Sequence, residues 1–240
     1  LEEIISNSRV IGGIDEKSAS QCENFYKSFC KGEIIKTDSR TAELVKLTEN
    51  AYRDVNIAYA NELSVICDKI NIDVKELINL SNKHPRVNIL NPGCGVGGHC
   101  IAVDPWFLAS QFPKESSLIQ TARNVNMEKT KWVIKKIKFI SEEFTEKFGR
   151  KPKLGFLGLA FKPDVDDLRE SPALKIVQEM ILENHDVIVA EPNIKDHKNI
   201  KLHKYSEVVD EADLIFILVG HKEFKFTKTT SKKIYDFSSR

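Results

Sequence analysis

The sequence has no apolar run long enough to cross a bilayer; stretches such as Leu214 to Val219 fall far short of the ~20 residues a spanning helix needs. It has no charge excess. Thirty-six Lys and Arg against 35 Asp and Glu leave a net charge of +1, so nothing pulls the chain as a whole toward nucleic acid or anionic lipid. Residues 1–20 lack a charged start followed by an apolar stretch, so no signal peptide is expected. The chain also lacks an initiator methionine and starts abruptly at "LEEII", as a processed or cut piece would. Its five cysteines are odd in number, scattered, and never spaced C-x-x-C, which disfavours a disulfide framework and fits a reducing cytoplasm. Internal repeats and low-complexity tracts are missing, and the strand–turn–helix–strand stretch at 153–191, with only Gly155 and Gly158, has no complete G-x-G-x-x-G dinucleotide fingerprint.

What is present is a soluble-type chain of 240 residues, 41% hydrophobic, enough to bury one core and room for two. Residues 1–38 are mixed and short-ranged. From Ser39 or Thr41 the pattern turns helical, with Leu44, Leu47, Ala51, Val55 and Ala58 at three- and four-residue steps, continued by Ile66 and Ile70. "NIDVKELINLSN" reads as a short helix, and Val133, Ile137, Ile140, Phe144 and Phe148 mark another amphipathic one. Residues 39–148 are therefore expected to form an all-helical unit whose apolar stripes supply a homodimer interface. "FGRKPK" marks a boundary, and 149–240 reads as a small α/β domain. Strands at "KLGFLGLAF", "DVIVAEP" and "LIFILVG" alternate with helices at "ESPALKIVQEMILEN", with Ser171 as N-cap and Pro172 at its first position, and at "SEVVDEAD". The predicted fold class is α/β: a helical domain followed by a small Rossmann-like parallel sheet.

Two segments carry the chemistry. In "NPGCGVGGHCIAVDPWFL", Cys100 stands beside His99 at the end of a glycine loop. As a metal ligand it has Cys94, His84 and His99 nearby; as a core residue it has poor neighbours in Gly97 and Gly98; as a nucleophile it gains from the close ligand approach that glycines allow. Lys46 and Asn50, spaced i, i+4 away from the apolar stripe, either hold an oxyanion or belong to a solvated face. Asp104 offers a carboxylate four residues after Cys100. In the second segment, "KPDVDDLRES", Lys162 and Arg169 precede a helix N-terminus, and Glu191 closes the next strand, the order of a mononucleotide-binding unit. A phosphate site and an ordinary polar loop are both open there.

Three long motifs in order, "AELVKLTENAYRDVNIAYANEL", "GVGGHCIAVD" and "GLAFKPDVDDLRESPA", resemble the UDP-glucose/GDP-mannose dehydrogenase family over nearly the whole chain. Where many members have Cys-Phe-Pro-Lys-Asp this chain has "CIAVD", with Val103 at the Lys position, which resembles the branch acting on UDP-N-acetylhexosamines. The resemblance implies a four-electron oxidation of a sugar C6 alcohol to a carboxylate with two NAD⁺. Cys100 would form a thiohemiacetal and then a thioester, Lys46 and Asn50 would hold the oxyanions, and Asp104 would assist water. It assigns Arg86, Gly97, Gly98, Phe161 and Lys162 to substrate, Arg86 reaching it across a subunit interface over a shortened loop. Arg169 falls to the cofactor, and no residue to a metal. The implied substrate is UDP-N-acetyl-D-mannosamine. The alternatives are its glucosamine epimer, or no reaction at all in a UDP-sugar-binding or dimerisation module. Family members begin with an NAD-binding Rossmann domain that this chain lacks. "SRVIGGID" resembles its tail, making 1–38 a remnant, and "IYDFSSR" stops where relatives continue with a strand, so a fragment without most of the cofactor site is expected.

Overall fold

A computed structural model describes residues 2–224 and 232–238, so the last two residues of "IYDFSSR" lie outside the described residues. The chain divides into two units, Leu1–Tyr52 and Arg53–Arg240.

Residues 1–38 are more regular than their mixed composition predicts. After α1 (Glu2–Ser6), β1 (Arg9–Gly13) pairs in parallel with β2 (Ile34–Asp38), and α2 (Glu16–Lys27) forms the crossover. Asp15 caps α2: its carboxylate accepts from the Ser18 N–H at 2.7 Å, and the Ser18 hydroxyl oxygen accepts from the Asp15 N–H at 3.2 Å. At Gly13 a side chain is excluded, since an added Cβ would stand 2.5 Å from the Ala19 nitrogen. Strand and helix thus meet closely. The two strands escape a reading of apolar runs because each is five residues long and mostly exposed or half-buried.

The long helix α3 (Ser39–Lys69) contains the boundary between the units. In the larger unit its remainder is followed by α4 (Val74–Ser81), α5 (Asp104–Gln111) and α6 (Ser117–Phe148). The expected α3 stripe is buried only in part: Ala51 and Ala58 are buried, whereas Leu44, Ile66 and Ile70 are exposed. Beyond residue 53 the buried positions include Ala60 and a row at Asp54, Ala58, Asn61, Ser64 and Cys67, three or four apart and mostly polar. They face polar groups of α6. Arg123 donates to the Asp54 carboxylate at 2.6 Å, Asn126 donates to the same oxygen at 2.8 Å, Asn61 donates to Asn126 at 2.8 Å, and Lys129 donates to Ser64 at 2.7 Å. The Lys129 ammonium also lies 3.9 Å from the Trp132 ring centroid.

The α/β alternation holds as predicted. β3 (Lys153–Leu157), α7 (Pro172–Leu182), β4 (Asp186–Ala190), α8 (Tyr205–Glu211) and β5 (Leu214–Ile217) appear in order. A fourth strand that the sequence left unassigned, β6 (Lys233–Asp236), completes a parallel sheet of order β4-β3-β5-β6. Ser171 caps α7 and Pro172 opens it. Strand alternation sorts the core into two faces. Leu154, Phe156, Val189 and Phe216 pack with α7 and with Val133 and Ile137 of α6, while Leu157, Ile188 and Ile215 pack with α8. Gly155 lets α8 approach, since a Cβ there would meet Ala212 Cβ at 2.6 Å. Because α6 covers one face of the sheet, the elements that carry the glycine loop and the loop from β3 to α7 share a core.

Candidate active site

The glycine loop is anchored at its start from two helices. Asn61 on α3 accepts from the Gly93 N–H at 2.8 Å, and Thr130 on α6 donates to the Cys94 carbonyl at 2.8 Å. Cys94 then turns inward. Its thiol donates to the carbonyls of Leu218 and Phe237, both at 3.5 Å, and burial pushes its pKa up to about 12. It is a protonated packing residue, neither a nucleophile nor a partner of Cys100 in a metal site.

Past Cys94 the backbone needs glycine. Gly95 and Gly98 have φ of +134° and +86°, and a Cβ on Gly97 would stand 2.5 Å from the Glu170 carbonyl. This close approach seats the loop on residues 159–171, which connect β3 to α7. The Gly98 N–H donates to the Arg169 carbonyl at 2.9 Å, and a Cβ on Gly98 would meet the Phe161 ring at 2.9 Å. Cys100 follows, half-buried and free, and its carbonyl accepts from Val103 and Asp104 at 2.9 and 2.8 Å. That turn launches α5, with Asp104 as its first residue and Pro105 behind it. Thiol and carboxylate residues are therefore one hydrogen-bonded turn apart.

Arg169 extends beside this turn, 63% exposed at its side chain, and binds Asp167 with distances of 2.6 to 3.1 Å. The Arg169 guanidinium, helped by the Arg169 N–H, draws the Asp167 pKa down to about 2. Asp167 also lies 3.9 Å from the His99 ring. Lys162 is exposed with its ammonium 5.6 Å from the Phe161 ring centroid. A cationic edge thus stands beside a half-buried thiol, which suits an anionic ligand carrying an electrophilic carbon.

The structure therefore brings together Gly97, Gly98, Cys100, Asp104, Phe161 and Arg169, with Lys162 adjacent. Arg86 lies exposed in the turn after α4; Asn82 closes that turn by exchanging two hydrogen bonds with Ile89, at 2.7 and 3.0 Å. Lys46 and Asn50 lie on α3 in the smaller unit with the expected i, i+4 spacing, but they differ in exposure. Lys46 is exposed with Glu49 at 3.7 Å, but Asn50 is only 8% exposed. Glu191, which closes the second strand of the mononucleotide-like unit, is buried. Sequence reasoning missed Asp167, although it lies inside the quoted "KPDVDDLRES", and it missed Asn61 and Thr130, whose roles depend on contacts remote in sequence.

Among the described residues, Asp164, His221 and Glu223 have ligand-type atoms within 4.8 Å of one another. They do not suit a metal. His221 Nδ1 accepts the Asp164 N–H at 2.9 Å and its Nε2 meets Glu191 at 3.0 Å, so neither ring nitrogen has a free lone pair. A dinucleotide cradle is not formed by the described β1–α2 turn either, because the Asp15 carboxylate already occupies the N-terminus of α2.

Residues 40–128 match the model of the central domain of the UDP-glucose/GDP-mannose dehydrogenase family, and residues 155–238 match that of its UDP binding domain. The chain is 53% identical to the UDP-N-acetyl-D-mannosamine dehydrogenase of Campylobacter jejuni, over 99% of this chain and 58% of that protein. It is 47% identical to the NDP-N-acetyl-D-galactosaminuronic acid dehydrogenase of Ralstonia nicotianae, over 94% of this chain and 53% of that one. Among solved structures it resembles the UDP-N-acetyl-mannosamine dehydrogenase from S. aureus with a TM-score of 0.85 at 42% identity, over 98% of this chain and 56% of that one. The chain spans somewhat more than half the length of the relatives it matches.

Proposed function

We propose that this chain, which belongs to the UDP-glucose/GDP-mannose dehydrogenase family, is the helical and UDP-binding part of an NAD-dependent UDP-N-acetyl-D-mannosamine 6-dehydrogenase. The reading rests on one observation above others: a half-buried free thiol, Cys100, at the end of a glycine loop seated directly on the loop of Phe161 and Arg169. Residues 1–38 are assigned to the end of a preceding NAD-binding domain, 39–148 to the central domain and 149–240 to UDP binding.

In this assignment Lys162 holds the diphosphate of the substrate, Gly97, Gly98 and Phe161 form the surface against which the sugar lies, and Arg86 reaches substrate from a second copy. NAD would supply hydride acceptance for both oxidations, and of this chain Arg169 alone would be assigned to hold it. Cys100 adds its sulfur to the C6 aldehyde and forms a thiohemiacetal, whose oxyanion is assigned to Lys46 as the cationic donor and Asn50 as the amide donor. After the second oxidation the carbon is a thioester. Water adds to it, positioned by Asp104, and the C–S bond breaks to return the thiol and release the carboxylate. The exposed Tyr59, Ile66 and Ile70 of α3 support a homodimer through the central helices. Five free cysteines fit the cytoplasm, and among the described residues no helix is long and apolar enough to cross a membrane.

The test is Cys100→Ser beside Cys94→Ser in the whole enzyme. Cys100→Ser is expected to lower NADH formation from UDP-N-acetyl-D-mannosamine by at least ~10³-fold, because serine without a base is a poor nucleophile. Cys94→Ser should retain most activity, its thiol being buried and protonated. Equal losses would reject the assignment of Cys100, and faster turnover of the N-acetylglucosamine epimer would reassign the substrate.

A further inference from the structure

We propose that Glu191 and His221 form an internal latch that fixes the shape of the ligand loop and so positions Phe161 and Lys162. This rests on the reading of that loop as the UDP site.

Glu191 stands one residue past β4, where a mononucleotide fold would place an acid facing its ligand. Here its side chain is fully buried and points inward. One carboxylate oxygen accepts from the backbone N–H groups of Leu159 and Ala160 at 2.6 and 3.0 Å and meets His221 Nε2 at 3.0 Å. The other accepts from the Asn193 N–H at 3.0 Å. Burial alone would push its pKa up, but His221 and these N–H groups together hold it below the usual range.

His221 continues the latch. Its ring is fully buried, and its Nδ1 accepts from the Asp164 N–H at 2.9 Å. The proton therefore sits on Nε2 and is donated to Glu191. Asn193 lies 2.9 Å from the same Nδ1, and the edge of the ring meets Phe224 with centroids 5.4 Å apart. Asp164 is a non-glycine residue in the left-handed region, with φ +61°, a conformation that persists only when its surroundings impose it. His221 imposes it through the Asp164 N–H, and the Lys222 N–H imposes it again by donating to the Asp164 carboxylate at 2.9 Å.

The loop is thus pinned at 159–160 by Glu191 and at 164 by His221. Between the pins lie only Phe161, Lys162 and Pro163, the first seated on Gly98 and the second exposed with its charge outward. Neither latch residue reaches the surface, so both act through backbone they hold rather than through a ligand they touch.

Two conservative variants of the 240-residue chain separate this from a merely structural role. An Asn at 221 places its amide oxygen near the former Nδ1 and can still accept from Asp164. A Gln places its amide nitrogen near the former Nε2, so it keeps the bond to Glu191 but leaves the Asp164 N–H unmet. His221→Gln is expected to speed amide exchange at Asp164 by at least about 10-fold and to weaken UDP binding in calorimetry by a similar factor. His221→Asn should stay within about threefold of wild type in both, even if its melting temperature falls as far. Glu191→Gln, with one carbonyl oxygen for several donors, should speed exchange at Leu159 and Ala160 instead. If the two His221 variants exchange alike at Asp164, or if UDP affinity follows melting temperature across all three, the latch is overturned. If the wild type fails to bind UDP, the functional reading falls, and the exchange pattern alone decides whether the latch exists.

Discussion

The sheet core and the α3–α6 seam are both buried, yet they are held by opposite means. In the sheet core, Leu154, Phe156, Ile176, Met180 and Phe216 are fully buried with no polar atom to satisfy. Burial of apolar surface, at about 25 cal/mol per Å², is non-directional, so shape and volume decide what fits. In the seam, Asp54, Asn61, Arg123 and Asn126 are equally inaccessible, and each must find a particular partner. The seam is not fully satisfied: among the described residues Asp54 Oδ2 and Arg123 Nε have no hydrogen-bond partner, and burial raises the Asp54 pKa in spite of Arg123. A buried pair of this kind is poor at stabilising a fold and good at specifying one arrangement of it. Here that arrangement includes Gly93, the first glycine of the loop that carries Cys100, held by Asn61. The core supplies cohesion and the seam supplies register.

The largest expected effect tests that division. Arg123→Met alone should cost about 3–5 kcal/mol in urea denaturation, because it strands the Asp54 charge in the interior. The double variant Asp54→Leu with Arg123→Met should recover most of the loss, since neither charge then needs desolvation. If single and double variants are equally unstable, the seam is held by packing as the core is, and the contrast fails.

The same contrast explains what could be read from the sequence. The strands β3, β4 and β5 and the helix α7 were legible because their burial is apolar and their caps are ordinary; Ser171 and Pro172 announce α7 before any periodicity is counted. α3 was legible as a helix but only in part in its orientation, since Ala51 and Ala58 of its apolar stripe are buried. Its apolar residues Leu44, Ile66 and Ile70 face outward, while Asp54, Asn61 and Ser64 face in, and no rule of apolar periodicity assigns a buried aspartate. The turn launching α5 hid in "CIAVDPWFL", where Pro105 was the usable signal. At the site, Cys100 with Gly97 and Gly98 was legible because a thiol after glycines is poor core material. Glu191 was legible in position only, because strand order gives the place of an acid but not the direction it faces.

A smaller effect is expected at Lys129, where the seam meets the Cys94 loop. Burial lowers its pKa from 10.5 to about 8 in the folded chain. Below pH 8 both states are protonated and the fold carries the full cost of a buried ammonium. Between pH 8 and 10.5 the unfolded chain holds the proton that the folded chain has released, so stability rises with pH. The gain should be on the order of 3 kcal/mol relative to Lys129→Met, which has no such proton to release. Urea denaturation of both proteins at pH 7.5 and 10.5 measures it. Parallel behaviour of the two would place Lys129 in water rather than in the seam, and would blur the contrast from the polar side.

The smallest effect supplies the control, because it concerns an ion pair of better geometry than Asp54–Arg123 but at the surface. Arg150 grips Asp213 with two bonds of 2.7 Å, just before β3, and Asp213 also accepts the Lys153 N–H at 2.8 Å. These donors, Arg150 first, draw the Asp213 pKa from 3.8 down to about 2. With the Arg150 side chain 59% exposed, solvent screens most of that interaction. Arg150→Ala should therefore cost less than about 1 kcal/mol, and less again in ~1 M salt, where screening acts over a few ångströms. The Asp213 carboxylate contributes its share above pH 3.8 and loses it as pH falls toward 2, so the variant and wild type should converge in acid. The Asp54–Arg123 difference should resist salt, since it is shielded from solvent by the fold itself. A cost for Arg150→Ala comparable with that for Arg123→Met would mean that geometry, not burial, sets the energy of these pairs, and the seam would then differ from the surface only in its neighbours.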